Sequence, residues 1–137
     1  MEKFERPERG IRRIAFVVTL AALVAPAHAA GLPTHVGQCV RTTVKSVETR
    51  LVDGSTNQPV AGSGSAVSFV NGGYQVSYDQ LPPVDSSHPG DPVEMCLVSI
   101  PRDCPPGDDR GREYRTTNLR TKKSWRLPDS EHSCGGA

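Results

Sequence analysis

The 137-residue sequence has little of what long helices or membrane anchors require. After residue 29, alanine, the best helix former, occurs only four times, and glycine and proline make up 22 of the 108 residues. Only residues 38–53 and 112–127 form stretches of sixteen residues without glycine or proline, so long helices are excluded. The longest apolar run, about eleven residues, is too short for a bilayer-spanning helix, which needs roughly 20.

Residues 1–29 have the layout of a secretory signal peptide. Five basic residues accompany an apolar run at residues 14–24, and an Ala-His-Ala triplet follows. We therefore expect cleavage after Ala29 and a mature protein of residues 30–137. The short charged start and the Ala-x-Ala end are typical of a bacterial periplasmic or secreted protein, and an arginine pair fits the twin-arginine export signal only loosely.

The chain also lacks a strong net charge. The whole sequence carries +1, and residues 30–137 contain 11 basic and 12 acidic side chains. A nearly neutral exported protein is a poor candidate for binding nucleic acid, which is excluded as the expected partner.

Four cysteines lie in the mature part, and an even number in a small exported domain predicts two disulfides. A metal site of Cys96, Cys104, Cys134 and His132 is the alternative, but close Cys-x-x-Cys pairs are absent. Loop-closure entropy does not choose between pairing Cys39 with Cys96 and pairing Cys39 with Cys134. The first is favoured, together with Cys104–Cys134, because Cys96 lies in a strand-like run and Cys104 in the loop that follows.

Valine and threonine are frequent after residue 29, which favours β-strands. Asn71-Gly72 lies between two alternating runs, residues 65–70 and 73–78, and predicts a β-hairpin. A two-residue loop pairs the apolar side chains with one another: Phe69 with Tyr74 and Val67 with Val76. The hairpin is therefore expected to bury its apolar face against a core and to expose its other face, which carries small or polar side chains.

Further strands are predicted at residues 39–51, 93–100, 113–120 and 124–127. A change of phase between Val44 and Val47 predicts a β-bulge. Residues 80–92 are too proline-rich for regular structure. The expected fold is all-β, a small five- or six-stranded antiparallel barrel or sandwich with two disulfides, formed by residues 30–137 as a single domain.

Eight of the eleven mature basic residues lie between residues 102 and 126, a span with a net charge of about +4, whereas residues 30–101 carry about −3. We expect a basic strip with aromatic rings available for stacking on a ligand. The candidate ligand-binding residues are Arg102, Arg110, Arg112, Tyr114, Arg115, Arg120, Lys122 and Trp125. The expected partner is an anionic envelope polymer or another exported protein, and the alternative is an ordinary charged strand edge.

Residues 101–110 form a second candidate surface, a loop with three prolines and an expected disulfide. Rigid loops lose little entropy on binding, so this loop would suit an inhibitor of a secreted hydrolase, with Arg102 or Arg110 as its probe. The alternative is a tight connection in which Asp108 and Asp109 are solvated or cap backbone amides. Calcium binding is not indicated, because no Asp-x-Asp-x-Asp-Gly pattern is present.

Enzymatic motifs are weak. Residues 62–66 lack the second glycine of Gly-x-Ser-x-Gly, and His35, His88 and His132 lie apart with no adjacent nucleophile. No catalytic residue, cofactor or metal ligand is predicted, and a small secreted enzyme is the least favoured alternative. The sequence predicts an exported, non-catalytic binding protein with a working surface around residues 101–126.

Overall fold

The computed structural model describes residues 30–136, so the predicted signal peptide lies outside the described residues. These residues form six strands and one helical turn. In chain order they are β1 (Cys39–Thr49), β2 (Ser65–Phe69), β3 (Tyr74–Ser77), α1 (Pro82–Asp85), β4 (Pro92–Ser99), β5 (Glu113–Asn118) and β6 (Ser124–Pro128). A search of the same residues for a helix long and apolar enough to span a bilayer finds none.

All six strands belong to one antiparallel sheet in the order β3-β2-β1-β4-β5-β6. The first half of β1 pairs with β4 and its second half with β2, and the register shifts between Val44 and Ser46. This shift confirms the predicted bulge. Because a bulge bends the strand and increases its twist, the sheet curls until β3 contacts β6. The predicted all-β fold is confirmed as a half-barrel.

The core lies inside the curl of the sheet, where alternate side chains of each strand meet. From β4 it receives Val93, Met95 and Leu97, each no more than 1% exposed. The other strands add the buried side chains of Val44, Val67, Phe69, Tyr114, Trp125 and Leu127. Burial of one such large apolar side chain contributes about 1.5–3 kcal/mol, so this cluster is the main source of stability.

One buried polar residue, Gln75 of β3, joins the two edges of the sheet. The Trp125 indole N–H donates to Gln75 Oε1 at 2.6 Å, and Gln75 Nε2 donates to Thr116 Oγ1 at 2.8 Å. Both ends of the buried amide are therefore satisfied, as a fully buried polar group requires. The edge strands β3 and β6 are held together by side chains rather than by a backbone ladder.

The β2–β3 hairpin exists, but its predicted register is wrong by one residue. Val67 pairs with Gln75 rather than with Val76, and Phe69 N–H donates to Gly73 O at 2.9 Å. The loop therefore contains three residues, and of the Asn-Gly pair only Gly72 has a positive φ, +86°.

A one-residue shift exchanges the two faces of a strand. Gln75 consequently points inward, where it is fully buried, and the Tyr74 side chain is 38% exposed. The prediction of a hairpin buried on one face only is also wrong, because Ala66 and Val67, which are neighbours on β2, are both buried.

Both favoured disulfides are present. Cys39–Cys96 joins directly opposite residues of β1 and β4, and Cys104–Cys134 joins the loop after β4 to the C-terminal segment. The alternative metal site is excluded because all four sulfur atoms are bonded in pairs. Disulfides persist in oxidising surroundings, so two of them indicate an extracytoplasmic compartment.

The prediction that residues 80–92 have no regular structure is wrong in part, because this connection contains the helical turn α1. Its first two residues, Pro82 and Pro83, stand where a helix needs no backbone donor. Val84 is fully buried in the core, and the Ser65 hydroxyl donates to Asp85 Oδ1 at 2.6 Å. The helical turn is thus fastened to β2.

Candidate functional site

Residues 101–111, called the cross-linked loop from here on, connect β4 to β5 and are fastened to the C-terminal segment. Cys104 forms its disulfide with Cys134, and the Cys134 N–H donates to the Arg110 carbonyl at 3.0 Å. One attachment is covalent and lies early in the loop, and the other is a backbone hydrogen bond near its end. The outer part of the loop is therefore held on both sides.

Asp108 is the centre of hydrogen bonding within the cross-linked loop. Arg110 donates to both of its carboxylate oxygens at 2.8 Å, and the Gly135 N–H donates to Oδ2 at 3.0 Å. The hydrogen bond from Arg110, above all, holds the pKa of Asp108 well below its usual range, and the carboxylate raises the pKa of Arg110. Asp108 therefore caps a backbone amide, as the interpretation of a tight connection predicts.

The base of the cross-linked loop is anchored by Asp129, which sequence reasoning missed. Its Oδ1 accepts hydrogen bonds from the N–H groups of Gly111, at 2.7 Å, and Arg112, at 3.1 Å. The Asp129 N–H in turn donates to Arg112 O at 2.9 Å. An aspartate just after the last strand gives no local signal for this role, because its partners lie 17 and 18 residues earlier in the chain.

The outward side of the loop remains exposed, at Arg102, Asp103, Pro105, Pro106 and Gly107. Within the described residues, 30–136, Arg102 takes part in no salt bridge. Asp103 has a φ of +58°, a left-handed conformation that turns the chain directly after Arg102. The loop presents a bent, charged and proline-stiffened surface.

A shallow cleft of about 410 Å³ lies between the cross-linked loop and Asp129. It contains three carboxylates, but Arg110 neutralises Asp108 and Arg112 approaches Asp109 at 3.5 Å. Calcium sites supply several carboxylate or carbonyl oxygens to the ion. Because two of the three carboxylates already face arginines, this cleft does not resemble a calcium site.

Most of the arginines predicted to form a basic strip are paired with acids. The salt bridges are Arg110–Asp108, Arg112–Asp109, Arg120–Asp91 and Arg126–Glu113. The positive charge that the sequence concentrates in this region is therefore compensated locally at four places.

Arg120, a predicted ligand-binding residue, holds two connections of the fold together instead. Its Nε donates to Asp91 Oδ1 at 2.5 Å and its Nη2 to Oδ2 at 2.8 Å. Asp91 is only 5% exposed and also accepts from Asn118 Nδ2 and the His88 N–H. The contact with Arg120 is the main reason why the pKa of Asp91 lies well below its usual range. Arg120 thus fastens the β5–β6 turn to the segment before β4.

The two aromatic rings expected to stack on a ligand are in the core, so that expectation is corrected. Tyr114 is 2% and Trp125 6% exposed. They alternate along β5 and β6 with the exposed Arg115 and Arg126. The two-residue period of a strand places neighbours on opposite faces, so this alternation in the sequence already contained the signal that the rings and the arginines face opposite ways.

The remaining predicted cations do not form one strip. Arg115 lies on the outer face of the sheet, opposite Cys96 of β4, while Lys122 lies in the turn after β5 and Arg102 in the loop before it. All three are exposed. The structure brings together the cluster of the cross-linked loop and, on the outer face of the sheet, Arg115 with its register partner Arg126 of β6, which is paired with Glu113.

Comparison of the chain with protein-family models, with curated proteins and with solved structures finds no match in any of the three.

The three histidines of the described residues lie on separate segments. His35 Nδ1 is 2.9 Å from Thr34 Oγ1, and His88 Nδ1 accepts from Arg120 Nη2 at 2.7 Å. His132 is exposed in the C-terminal segment. In residues 30–136 the cluster with metal-ligating atoms close together is Cys39, Glu94 and Cys96, and its two sulfurs are bonded to each other. The arrangement that stands out is a rigid, exposed loop.

Proposed function

We propose that this chain is an exported, non-catalytic binding protein that recognises another exported protein through the cross-linked loop. The observation that carries the proposal is that this loop is fixed from within while its outer side is exposed. The Cys104–Cys134 disulfide, Asp108 and Asp129 hold it in one shape. A loop that is ordered before association loses little conformational entropy on binding, so more of the contact energy appears as affinity.

The expected compartment of the protein and the exposed residues of the loop both agree with this role. Two disulfides fit an oxidising compartment, and the predicted signal peptide fits release to a bacterial periplasm or medium. The exposed residues combine a cation, an anion and two prolines, which suits a protein surface better than a uniformly charged polymer.

Inhibition of a secreted hydrolase is a narrower form of the proposal with less support. A substrate-like segment must be extended to lie across an active site, and the positive φ of Asp103 breaks that extension beside Arg102. The other expected probe, Arg110, is held by both oxygens of Asp108. We therefore favour recognition of a surface over insertion into an active site.

An anionic envelope polymer is the second candidate partner. It is favoured by the exposed cations Arg115, Lys122 and Lys123, none of which forms a salt bridge within residues 30–136. Such binding would weaken steeply with added salt, since exposed charges are screened.

Affinity capture from the envelope and culture fluid of the producing cells tests the proposal. The bait is the oxidised protein, and its expected mass begins at Ala30 and is four hydrogens lower than the reduced chain. Two variants are compared with it: Arg102→Ala/Pro106→Ala in the loop and Arg115→Ala/Lys122→Ala/Lys123→Ala on the strand and turn.

We expect the loop variant to lose the captured protein and the other variant to keep it, at both low and high salt. Retention on a heparin column that disappears in the triple variant would instead support the polymer. Capture that neither variant changes would show that the cross-linked loop is not the contact surface.

A further inference from the structure

A groove lies on a different part of the molecule, between the second half of β1, α1 and the loop of residues 50–64. It encloses about 530 Å³, and its lining includes Val47, Glu48, Val52, Pro59 and Asp85. We call it the β1 groove. It shares no residue with the cross-linked loop.

The wall of the β1 groove formed by residues 50–64 is ordered by local hydrogen bonds. Asp53 Oδ1 accepts from the N–H groups of Ser55 and Thr56, at 2.9 and 2.8 Å. Val52 and Pro59 form an isolated antiparallel bridge. These contacts hold apolar surface toward the solvent, since the Val52 side chain stays 53% exposed.

The floor of the β1 groove is a strand edge without a neighbour. On that side β1 pairs with β4 only as far as Thr43, and Val44 bonds to Gly90 and Asp91. Beyond this point β1 pairs only on its other side, with β2. Open strand edges invite pairing with another chain, and proteins usually cover them.

The register of β1 and β2 shows which backbone groups face the β1 groove. The Arg50 N–H donates to Gly64 O at 3.0 Å, so Arg50 occupies a hydrogen-bonded position. Because such positions alternate along an antiparallel pair, Glu48 bonds to β2, whereas the N–H and C=O groups of Val47 and Thr49 point away from it. These four groups lie along the floor of the groove.

The two charged side chains that line the β1 groove, Glu48 and Asp85, are both acidic. The Glu48 carboxylate has no hydrogen bond or salt bridge to any of residues 30–136, and Asp85 receives only the Ser65 hydroxyl. Arg50, which follows β1, is engaged elsewhere, because its guanidinium donates to Ser63 O at 2.7 Å and to Glu131 Oε2 at 3.2 Å. Two carboxylates therefore remain available to a cation.

We propose that the β1 groove binds an extended peptide segment of another protein, with alternating aliphatic and basic residues, which adds as a strand to the open edge of β1. The peptide backbone bonds to Val47 and Thr49, its aliphatic side chains contact Val52, and its basic side chains, which all lie on one face of the added strand, approach Glu48. Asp85 lies on the opposite face, because it is bonded to Ser65, the register partner of Thr49. In strand addition, main-chain hydrogen bonds supply affinity and side-chain pockets supply specificity.

The test uses the acetylated, amidated pentapeptide Val-Lys-Val-Lys-Val and the purified oxidised protein. Calorimetry gives the affinity, and amide hydrogen exchange by NMR gives the position. In the free protein we expect fast exchange at Val47 and Thr49 and slow exchange at Glu48, whose N–H is bonded to β2. Saturating peptide should slow Val47 and Thr49 at least tenfold and leave the cross-linked loop unchanged.

Three comparisons decide the chemistry. Glu48→Gln should weaken binding by about three- to fivefold, the upper part of the range for an exposed ion pair, whereas Asp85→Asn on the opposite face and the matched control Glu94→Gln on the outer face of β4 should not. A Val-Glu-Val-Glu-Val peptide should bind at least tenfold more weakly. A peptide with N-methylated backbone nitrogens should not bind.

Equal affinity of the N-methylated peptide would overturn strand addition, and equal affinity of the glutamate peptide would overturn the choice of a basic partner. Slow exchange at Val47 and Thr49 in the free protein would show that the edge is already covered. None of these three results requires a variant of the protein to fold, and all of them are independent of the cross-linked loop.

Discussion

The cross-linked loop and the β1 groove use their backbone polar groups in opposite ways. In the loop, the N–H groups of Gly111 and Arg112 bond to Asp129, and the Arg110 carbonyl accepts from Cys134. In the groove, the register of β1 leaves the outward backbone groups of Val47 and Thr49 without a strand partner. The loop can therefore offer a partner mainly side chains, whereas the groove offers a strand edge. The same sheet thus presents a closed convex surface at the cross-linked loop and an open concave one at the β1 groove.

The largest effect on this comparison should come from removing the covalent attachment of the cross-linked loop. Cys104→Ser/Cys134→Ser should lower the free energy of unfolding by about 3–4 kcal/mol, from the entropy of closing a loop of this length. Chemical denaturation measures the loss, and hydrogen exchange should rise at Gly111 and Arg112. Binding of the β1-groove pentapeptide should not change. A simultaneous loss of peptide binding would show that the two surfaces are not independent.

The next effect should come from the anchor at the base of the loop. Asp129→Ala leaves two backbone N–H groups without their charged acceptor, and we expect a loss of about 2 kcal/mol in the free energy of unfolding. Denaturant titration of this variant and of Asp129→Asn measures it. The asparagine keeps an acceptor oxygen and should recover part of the loss. If both variants are as stable as the parent, Asp129 does not hold the loop.

A smaller effect is expected at the wall of the β1 groove. Asp53→Ala removes the acceptor for Ser55 and Thr56 on an exposed turn, so the denaturation midpoint should fall less than in Asp129→Ala. Pentapeptide affinity should also fall, because the wall that carries Val52 becomes less ordered. Asp53→Asn is the control, since asparagine supports the same turn. Unchanged affinity in Asp53→Ala would mean that the wall does not contribute to binding.

The smallest effect concerns pH and should act on both regions alike. Hydrogen bonds from Ser55 and Thr56 hold the pKa of Asp53 below its usual range. The hydrogen bond from Arg110 does the same for the pKa of Asp108. A pKa lower in the folded state adds stability above the unfolded value of about 3.9, and this stability is lost as the pH falls. From pH 5 to pH 2, Asp53→Asn and Asp108→Asn should each lose stability less steeply than the parent protein. A parallel slope in either variant would contradict the assigned contact.

The strands and the bulge were predictable because they depend on local pattern. Valine-rich alternation and the phase change after Val44 are properties of neighbouring residues, and so is the run around Cys96 that favoured its pairing. The register of the hairpin was not predictable in the same way. The three-residue loop is bonded to β1, a strand more than twenty residues earlier in the chain. The Val70 N–H donates to Thr43 O, and the Asn71 N–H donates to Thr42 Oγ1.

The candidate site shows the same division. Rigidity of residues 101–111 follows from prolines and cysteines visible in the sequence. The neutralisation of Arg120 does not, because Asp91 lies 29 residues away in the chain. The open edge of β1 could not be predicted from the sequence either, because it depends on where the pairing of β4 with β1 ends.

By itself, the sequence determined the all-β class, the disulfide content, the strands and the stiffness of one loop, since composition and two-residue periodicity act locally. Tertiary structure alone decided which face of β3 points into the core, that Arg120 pairs with Asp91 and which strand edge is open. Those outcomes depend on contacts between residues far apart in the chain, and a shift of one residue in pairing exchanges the two faces of a strand.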